Sequence, residues 1–431
     1  MERKNGSRPQ KRNCKLIMLN KEFILRLFEG FSIQRWNDLV RPFELVEMDK
    51  AAERMVVAYI IGKYEEAAGK KVDWTWIIYA SIFELLKKIA LCDIKSPVQR
   101  MIRNQFPREY VKLNEWVLKQ YKDIISDNDF FSEFTLYIGR TAGNFPMPED
   151  LKFAANILRA AHKFSTLREL EMIACVNEEE RISKIRHDLN EDIQEFLDLR
   201  GMQLLVTRQR PFDFVMMIEQ LRFQTRWNQT PRVPHTSVLG HCYFVAVMTI
   251  LLMRETGQKL CPKRLFNDFF SALFHDLPEA VTRDIISPVK QATDELPNIV
   301  KKIEDEIVRT ELVPLMDESY VDEIMYFISD EFSNRVKLNN EDSDKILRVD
   351  WDELNAKYND DSFSPIDGKT VRLADHLSAL IEADSSIKYG ITSEHLRSGK
   401  ENIMNLYAPK LSINGIEIRK IFDAIVAENK I

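Results

Sequence analysis

Glycine and proline are scarce in this 431-residue chain, at 13 and 16 residues, which leaves little material for long unstructured linkers. Strand-like alternation of apolar and polar residues is nearly absent, which argues against a sheet-built core. None of the five cysteines (Cys14, Cys92, Cys175, Cys242, Cys261) falls in C-x-x-C spacing. A zinc knuckle or dithiol redox motif is therefore excluded, and buried, reduced thiols are expected. Nowhere do about 18 apolar residues run together, so no membrane span is expected. The opening MERKNGSRPQKRN is basic and polar, without the apolar stretch of a signal peptide behind it. The cytoplasm is the expected compartment. An excess of basic charge is lacking too: 61 Lys and Arg stand against 67 Asp and Glu, for a net charge of -6. The fold as a whole has no field to hold a nucleic-acid backbone, so no stable nucleic-acid complex is expected and any polyanion site must be local.

What is present is helix. Apolar residues recur at spacings of three and four in KEFILRLFEGF, AAERMVVAYIIGKYEEA and WTWIIYASIFELLKKIAL. An Asn-first start, abundant charge and a terminal Gly predict one long, exposed connecting helix over NEEERISKIRHDLNEDIQEFLDLRG. Sliding the chain along itself reveals an internal repeat. RWNDLVR from Arg35 matches RWNQTPR from Arg226, and DIKSPV from Asp93 matches DIISPV from Asp284, both at an offset of 191 (226 − 35 and 284 − 93). LRAAHKF around His162 matches VRLADHL around Asp375 at 213 (375 − 162), which implies 22 extra residues in the second copy. They fall in a stretch including NNEDSDKILRVDWDELNAKYNDDSFS, read as an inserted excursion whose NNEDSD run is a solvated loop. The expected organisation is a tail over 1–17, a first helical unit over 18–177, a connecting helix over 178–208, a second unit over 209–390 and a helical extension over 391–431. Two copies of one unit in one chain predict an internal pseudo-dimer, with further homo-oligomerisation open.

In the second copy, VLGHCYFVAVMTILLM carries His241, NDFFSALFHDLPEAV carries His275 and Asp276, and TVRLADHLSALIEA carries Asp375. Each polar residue interrupts an apolar helical run, so all four are expected to point into a bundle interior, where unpaired they would be costly. One divalent cation resolves that cost. Mixed nitrogen and oxygen donors favour Mn, Co, Fe or Ni over a structural zinc site. His235, His376 and His395 have no partners at ligand spacing, and His376 is expected about 100° around its helix from Asp375.

SALFHDLPEAVTRDIISPVK, preceded by Arg-Trp and a lone His and followed by Leu-Ala-Asp, resembles the HD superfamily, and within it the bacterial 5'-deoxynucleotidase branch. The likeness runs from Arg226 to Gly390. It implies a metal-dependent phosphohydrolase acting on a small nucleotide-like substrate and, with the repeat, an all-α fold of two helical bundles in tandem. By the same likeness the metal goes to His241, His275, Asp276 and Asp375. Glu279 would hold the attacking water, with Asp284 beside it in the catalytic set. Arg226 would contact phosphate, Trp227 with Asp284 the sugar, and Lys290 a further phosphate oxygen. VPHTSVLGH places Leu239 and Gly240 where that branch carries Ser-Glu. An HD-type phosphodiesterase or nuclease, and a regulatory protein with a structural metal site, are the competing readings.

The offset of 191 puts Lys50 at the His241 position, Glu84 at His275, Leu85 at Asp276 and Lys88 at Glu279. With His162 at the Asp375 position, too few donors remain for a metal. The first copy is expected to be degenerate, with Lys50 paired to Glu84 where the cation would have been.

Overall fold

The computed structural model describes residues 19–283, 293–340 and 343–427. The first half contains α1 (Lys21–Phe28), α2 (Glu47–Ala67), α3 (Trp74–Leu91), α4 (Ser96–Gln105), α5 (Pro107–Tyr121), α6 (Asn128–Ala142) and α7 (Glu149–Ala174). Next come α8 (Glu179–Gln194), α9 (Arg200–Val206), α10 (Arg210–Phe223), α11 (Val238–Thr256), α12 (Pro262–Phe274) and α13 (Glu279–Thr282). The remainder holds α14 (Leu296–Ile307), α15 (Val321–Ile328), β1 (Asn334–Asn340), β2 (Ser343–Arg348), α16 (Trp351–Lys357), β3 (Ile366–Asp367), α17 (Gly368–Lys388), α18 (Glu394–Asn405) and α19 (Ile418–Val426). The all-α expectation holds.

Two long helices pack against each other at the centre, α2 from the first half and α11 from the second, with α7 lying on α2 and α17 on α11. Both central helices are buried along nearly their whole length. α11 is apolar and long enough to cross a membrane by composition, yet it is enclosed by protein on all sides. One continuous apolar core runs through both halves, from Phe23 and Ile60 to Phe269 and Leu377. At the centre, Ser237 caps α11 by accepting the Gly240 N–H at 2.9 Å, and its hydroxyl donates to Asp49 on α2. A Cβ at Gly240 would come 2.6 Å from Asp49 Oδ1 and 2.8 Å from Phe31. The Leu-Gly in place of Ser-Glu thus serves the packing of one half on the other.

Local features recur at the offsets seen in the sequence. The isolated bridges Gln34↔Val46 and Thr225↔Ser237 are 191 apart (225 − 34 and 237 − 46). Trp36 and Trp227 share φ near +55°, at 56° and 54°, and Cys92 and Arg283 also have positive φ, at 54° and 63°. Trp36 Nε1 donates to Glu169 at 2.9 Å and Trp227 Nε1 to Glu382 at 2.8 Å, acceptors 213 apart (382 − 169).

Three expectations are corrected. The connector is not one helix: α8 ends at Gln194, and Phe196 and Leu199 turn into the core before α9 begins. Asn177 does not cap it but clamps Val40, accepting its N–H at 3.0 Å and donating to its carbonyl at 2.9 Å. Gly201 lies inside α9, where a Cβ would sit 2.6 Å from Ile61 Cα of α2. The excursion forms an antiparallel hairpin, β1 with β2, in which Asn339, Asn340, Ser343 and Asp344 of the run expected as a loop are strand partners, and β3 completes the sheet order β2-β1-β3. Its inward face, Val336 with Val349 and Leu354, makes a small separate core; Glu341 and Asp342 of the NNEDSD run lie outside the described residues. The four described cysteines are unpaired, but Cys92 and Cys175 are exposed and, of the four, only Cys242 is fully buried.

Candidate metal centre

A buried ion pair aligns the helices that build the site. Arg264 on α12 binds Asp367 in two-pronged fashion, Nε to Oδ2 at 2.6 Å and Nη2 to Oδ1 at 2.9 Å, and neither side chain reaches solvent. This couples the helix leading to His275 with the start of α17, which carries Asp375. The His-Asp pair does not lie within a helix, as the apolar pattern suggested. α12 ends at Phe274, Pro278 follows, and residues 275–278 form a tight turn before α13. The turn carries His275, Asp276 and Glu279 onto one cavity of about 200 Å³, also lined by Lys301, Arg309 and Glu331.

The four predicted ligands meet. Donor atoms of His241, His275 and Asp375 all lie within 4.8 Å of one another, and a second overlapping set joins His275 and Asp276 to Cys242. His241 Nε2 is 3.3 Å from Asp375 Oδ1 and 3.8 Å from Asp276 Oδ2, while His275 Nε2 is 3.2 Å from Asp276 Oδ2. Donors held at about 2.1 Å from one ion lie within about 4.2 Å of each other. The separations of 3.2, 3.3 and 3.8 Å fall inside that limit.

The chemistry of the donor set fits a cation. His275 Nδ1 lies 2.7 Å from the Ala272 carbonyl. A carbonyl only accepts, so Nδ1 carries the hydrogen, and in the neutral ring the Nε2 lone pair faces the cluster. His241 Nδ1 is held by Ser378 Oγ at 2.9 Å. Both Nε2 atoms are buried with no aligned hydrogen-bond partner, the condition a metal relieves. Burial and the Arg226 charge push the His241 imidazole below its ordinary value. Burial lowers His275 as well, but the Asp276 carboxylate more than offsets this and raises it well above the ordinary range. Asp276 is held at about 2 against the cost of burial, by His275, His241 and Arg226; Asp375 is depressed further by His241 and Arg226.

Arg226 stands 3.7 Å from Asp276 and 3.9 Å from Asp375, anchored by Glu382 at 3.3 Å. Trp227 has its indole N–H fixed on Glu382, and its outer ring edge packs against Gly399. Asp284 and Lys290 lie outside the described residues. His376 turns away to Tyr407 at 2.6 Å, and His235 and His395 are exposed. The sequence reading missed Glu382, Ser378, Lys301 and Arg309. The first two were signalled, since Ser165 and Glu169 precede them by the repeat offset (378 − 165 and 382 − 169 are both 213).

At the equivalent place in the first half no cation is replaced. Lys50 is buried, but it donates to the His162 carbonyl at 3.1 Å and to the Ser165 and Thr166 hydroxyls at 2.7 Å. Glu84 instead accepts from Tyr137 at 2.9 Å, with Lys87, Lys88 and Arg54 around it. The expected Lys50–Glu84 pair does not form, because the ammonium reaches the α7 backbone and hydroxyls, as His241 reaches Ser378. Burial depresses Lys50 to about 7, so the folded state carries the full cost of the charge below pH 7 and sheds it between about 7 and 10.5. Ser165 and Thr166 keep their own bonds to Ala161 and His162 carbonyls. Lys50→Met is therefore expected to be neutral or stabilising by about 1–4 kcal/mol at pH 6, with a smaller gain at pH 9. Urea unfolding at both pH values tests this; a clear loss at pH 6 contradicts it.

Residues 218–404 match the HD domain family, a segment that contains every predicted site residue. The segment is thus similar to the HD domain, a class of metal-dependent phosphohydrolases. No curated protein matches the chain.

Proposed function

We propose that the second half is a phosphomonoesterase for a nucleotide-like substrate, using one divalent ion (Mn, Co, Fe or Ni) held by His241, His275, Asp276 and Asp375. One observation carries the reading: two buried imidazole Nε2 atoms, each without a hydrogen-bond partner, converge with an aspartate on a point beside an open cavity. A cation bound there polarises a phosphoryl oxygen and lowers the pKa of water. The histidines form the closed wall and are 0–1% exposed, while the Asp276 and Asp375 carboxylates, at 19% and 16%, form the open rim. Substrate therefore approaches from the carboxylate side. There Arg226 offers its guanidinium to the phosphoryl charge, and a Glu279 carboxylate oxygen takes the proton of the attacking water. Lys301 and Arg309 on the cavity wall are further phosphate contacts, and Asp284 and Lys290 retain the roles that the resemblance implies.

The same proposal takes the chain as two copies, 18–177 and 209–390, joined by 178–208 and followed by 391–431. The paired bridges, paired tryptophans and paired glutamates at constant offsets support an internal pseudo-dimer with a degenerate first copy.

Protein stripped by chelator and reloaded with Mn, Co or Ni is expected to release inorganic phosphate from nucleoside monophosphates. The ion, at a hundredfold excess over its Kd, is expected to stabilise the fold by about 2.7 kcal/mol. Asp375→Asn is expected to remove both effects. Cleavage of oligonucleotides without phosphate release would favour the phosphodiesterase reading.

A further inference from the structure

The first half keeps a cavity of about 220 Å³ at the place where the second half has its metal centre, bounded by Trp36, Lys88, Asp93, Arg100, His162 and Leu189. Under the repeat, Lys88 and His162 stand where the second half has Glu279 and Asp375, and Leu85 replaces Asp276. Three carboxylates have given way to a cation, an imidazole and an apolar side chain. Lys163 and Lys95 in the wall are neutralised by Asp192 and Asp38, each at 2.5 Å. Lys88 has no hydrogen bond or ion pair among the described residues, and the His162 ring has no hydrogen-bond partner among them. The buried Lys50 ammonium donates to the His162 carbonyl at 3.1 Å. Burial and the charges of Lys50, Arg54, Lys88 and Arg35 hold the His162 imidazole well below its ordinary value, as an electropositive floor requires. The N-terminus of α4, with no side-chain cap, opens on the same space through Ser96 and Pro97. At the other side, Asp93 and Asp188 supply carboxylate acceptors, and Ile94, Ile185 and Leu189 an apolar wall.

We infer that this cavity binds a sugar phosphate without metal and without hydrolysing it: the phosphate on Lys88 and His162, the hydroxyls on Asp93 and Asp188. It is a second ligand site, separate from the metal centre, and the two-copy reading enters only through the comparison of positions. A phosphate dianion satisfies the lysine and imidazole by charge-assisted hydrogen bonds, while hydroxyl donors suit acceptors that a phosphate would avoid. The space suits a body of sugar size.

The test is calorimetric titration of the full chain, in chelator, with ribose 5-phosphate, ribose and inorganic phosphate. Ribose 5-phosphate is expected to bind one site per chain, more tightly than either fragment. Asp375→Asn is expected to leave that Kd within about twofold, while Lys88→Glu weakens it on the order of 10-fold or more. Lys88 is partly exposed, so Lys88→Gln serves as the folding control and should weaken binding to a lesser degree. Absence of binding at millimolar ligand, or binding lost with Asp375→Asn and kept with Lys88→Glu, overturns the inference. Metal-dependent phosphate release would then still stand or fall separately, since it is read at the other centre.

Discussion

Glu279→Ala is expected to keep the cation and lose turnover by about 100- to 10,000-fold, the range that a positioned proton acceptor contributes. The expectation follows from where the residue lies. Glu279 belongs to neither of the two candidate ligand clusters, so its removal leaves the donor set whole. It nevertheless lines the cavity that His275 and Asp276 line. Its backbone is fixed on both sides: its N–H donates to the Asp276 carbonyl at 3.0 Å, and its own carbonyl accepts from Gln224 at 2.8 Å. The side chain is thus delivered to the cavity by a rigid turn, independently of substrate. Metal content measured alongside kcat separates the possibilities. A stoichiometric ion with an unchanged rate would make the cluster a structural staple and the domain an interaction module; loss of the ion would make Glu279 part of the metal site.

The convergence of His241, His275, Asp276 and Asp375 was legible because these residues interrupt apolar helical runs in a fixed order. The Arg-Trp match at an offset of 191 coincides with matching backbone geometry, positive φ at Trp36 and Trp227, a conformation that tolerates little drift. What the sequence hid depends on tertiary contact. The break after Gln194 is invisible to helix propensity, since it arises from Phe196 and Leu199 finding a core made by other helices. The hairpin in the excursion is stabilised by Val336, Val349 and Leu354 closing on one another, too few residues to show a period. The Lys50–Glu84 pairing failed for a similar reason: charge complementarity names a partner, but the reach of the lysine along α7 chose hydroxyls and a carbonyl.

Glu169 and Glu382 occupy equivalent positions, yet their removal should have different consequences. Glu169 is fully buried and accepts from Arg35 at 2.9 Å, from Trp36 at 2.9 Å and from Arg222 at 3.3 Å. Arg222 lies on α10, and its other partner is Glu53 on α2. The cluster therefore joins the two halves of the chain, and taking away one charge leaves two buried arginines with one carboxylate each, Arg35 with Glu47 and Arg222 with Glu53. Glu169→Gln is expected to cost about 3–5 kcal/mol. Burial by itself would raise this carboxyl, but Arg35, Lys50 and Arg222 hold it at about 2, below its unfolded value near 4.5. Its contribution of about 3 kcal/mol is fully present above pH 4.5 and is lost as pH falls toward 2. The variant should show a flatter fall in stability over that window. Glu382 accepts from Trp227 at 2.8 Å and Thr236 at 2.7 Å and anchors Arg226 at 3.3 Å, but Arg226 also faces the two metal-site carboxylates. Under the proposed function, freeing Arg226 misplaces the guanidinium assigned to the phosphate, so Glu382→Gln should lower kcat/KM by at least about tenfold, whereas Glu169→Gln should leave kcat/KM unchanged wherever the protein stays folded. Unfolding curves between pH 3 and 7, with kinetics at pH 7, decide the matter. Equal loss of kcat/KM in both variants would mean that the first half acts on the catalytic site rather than merely supporting it.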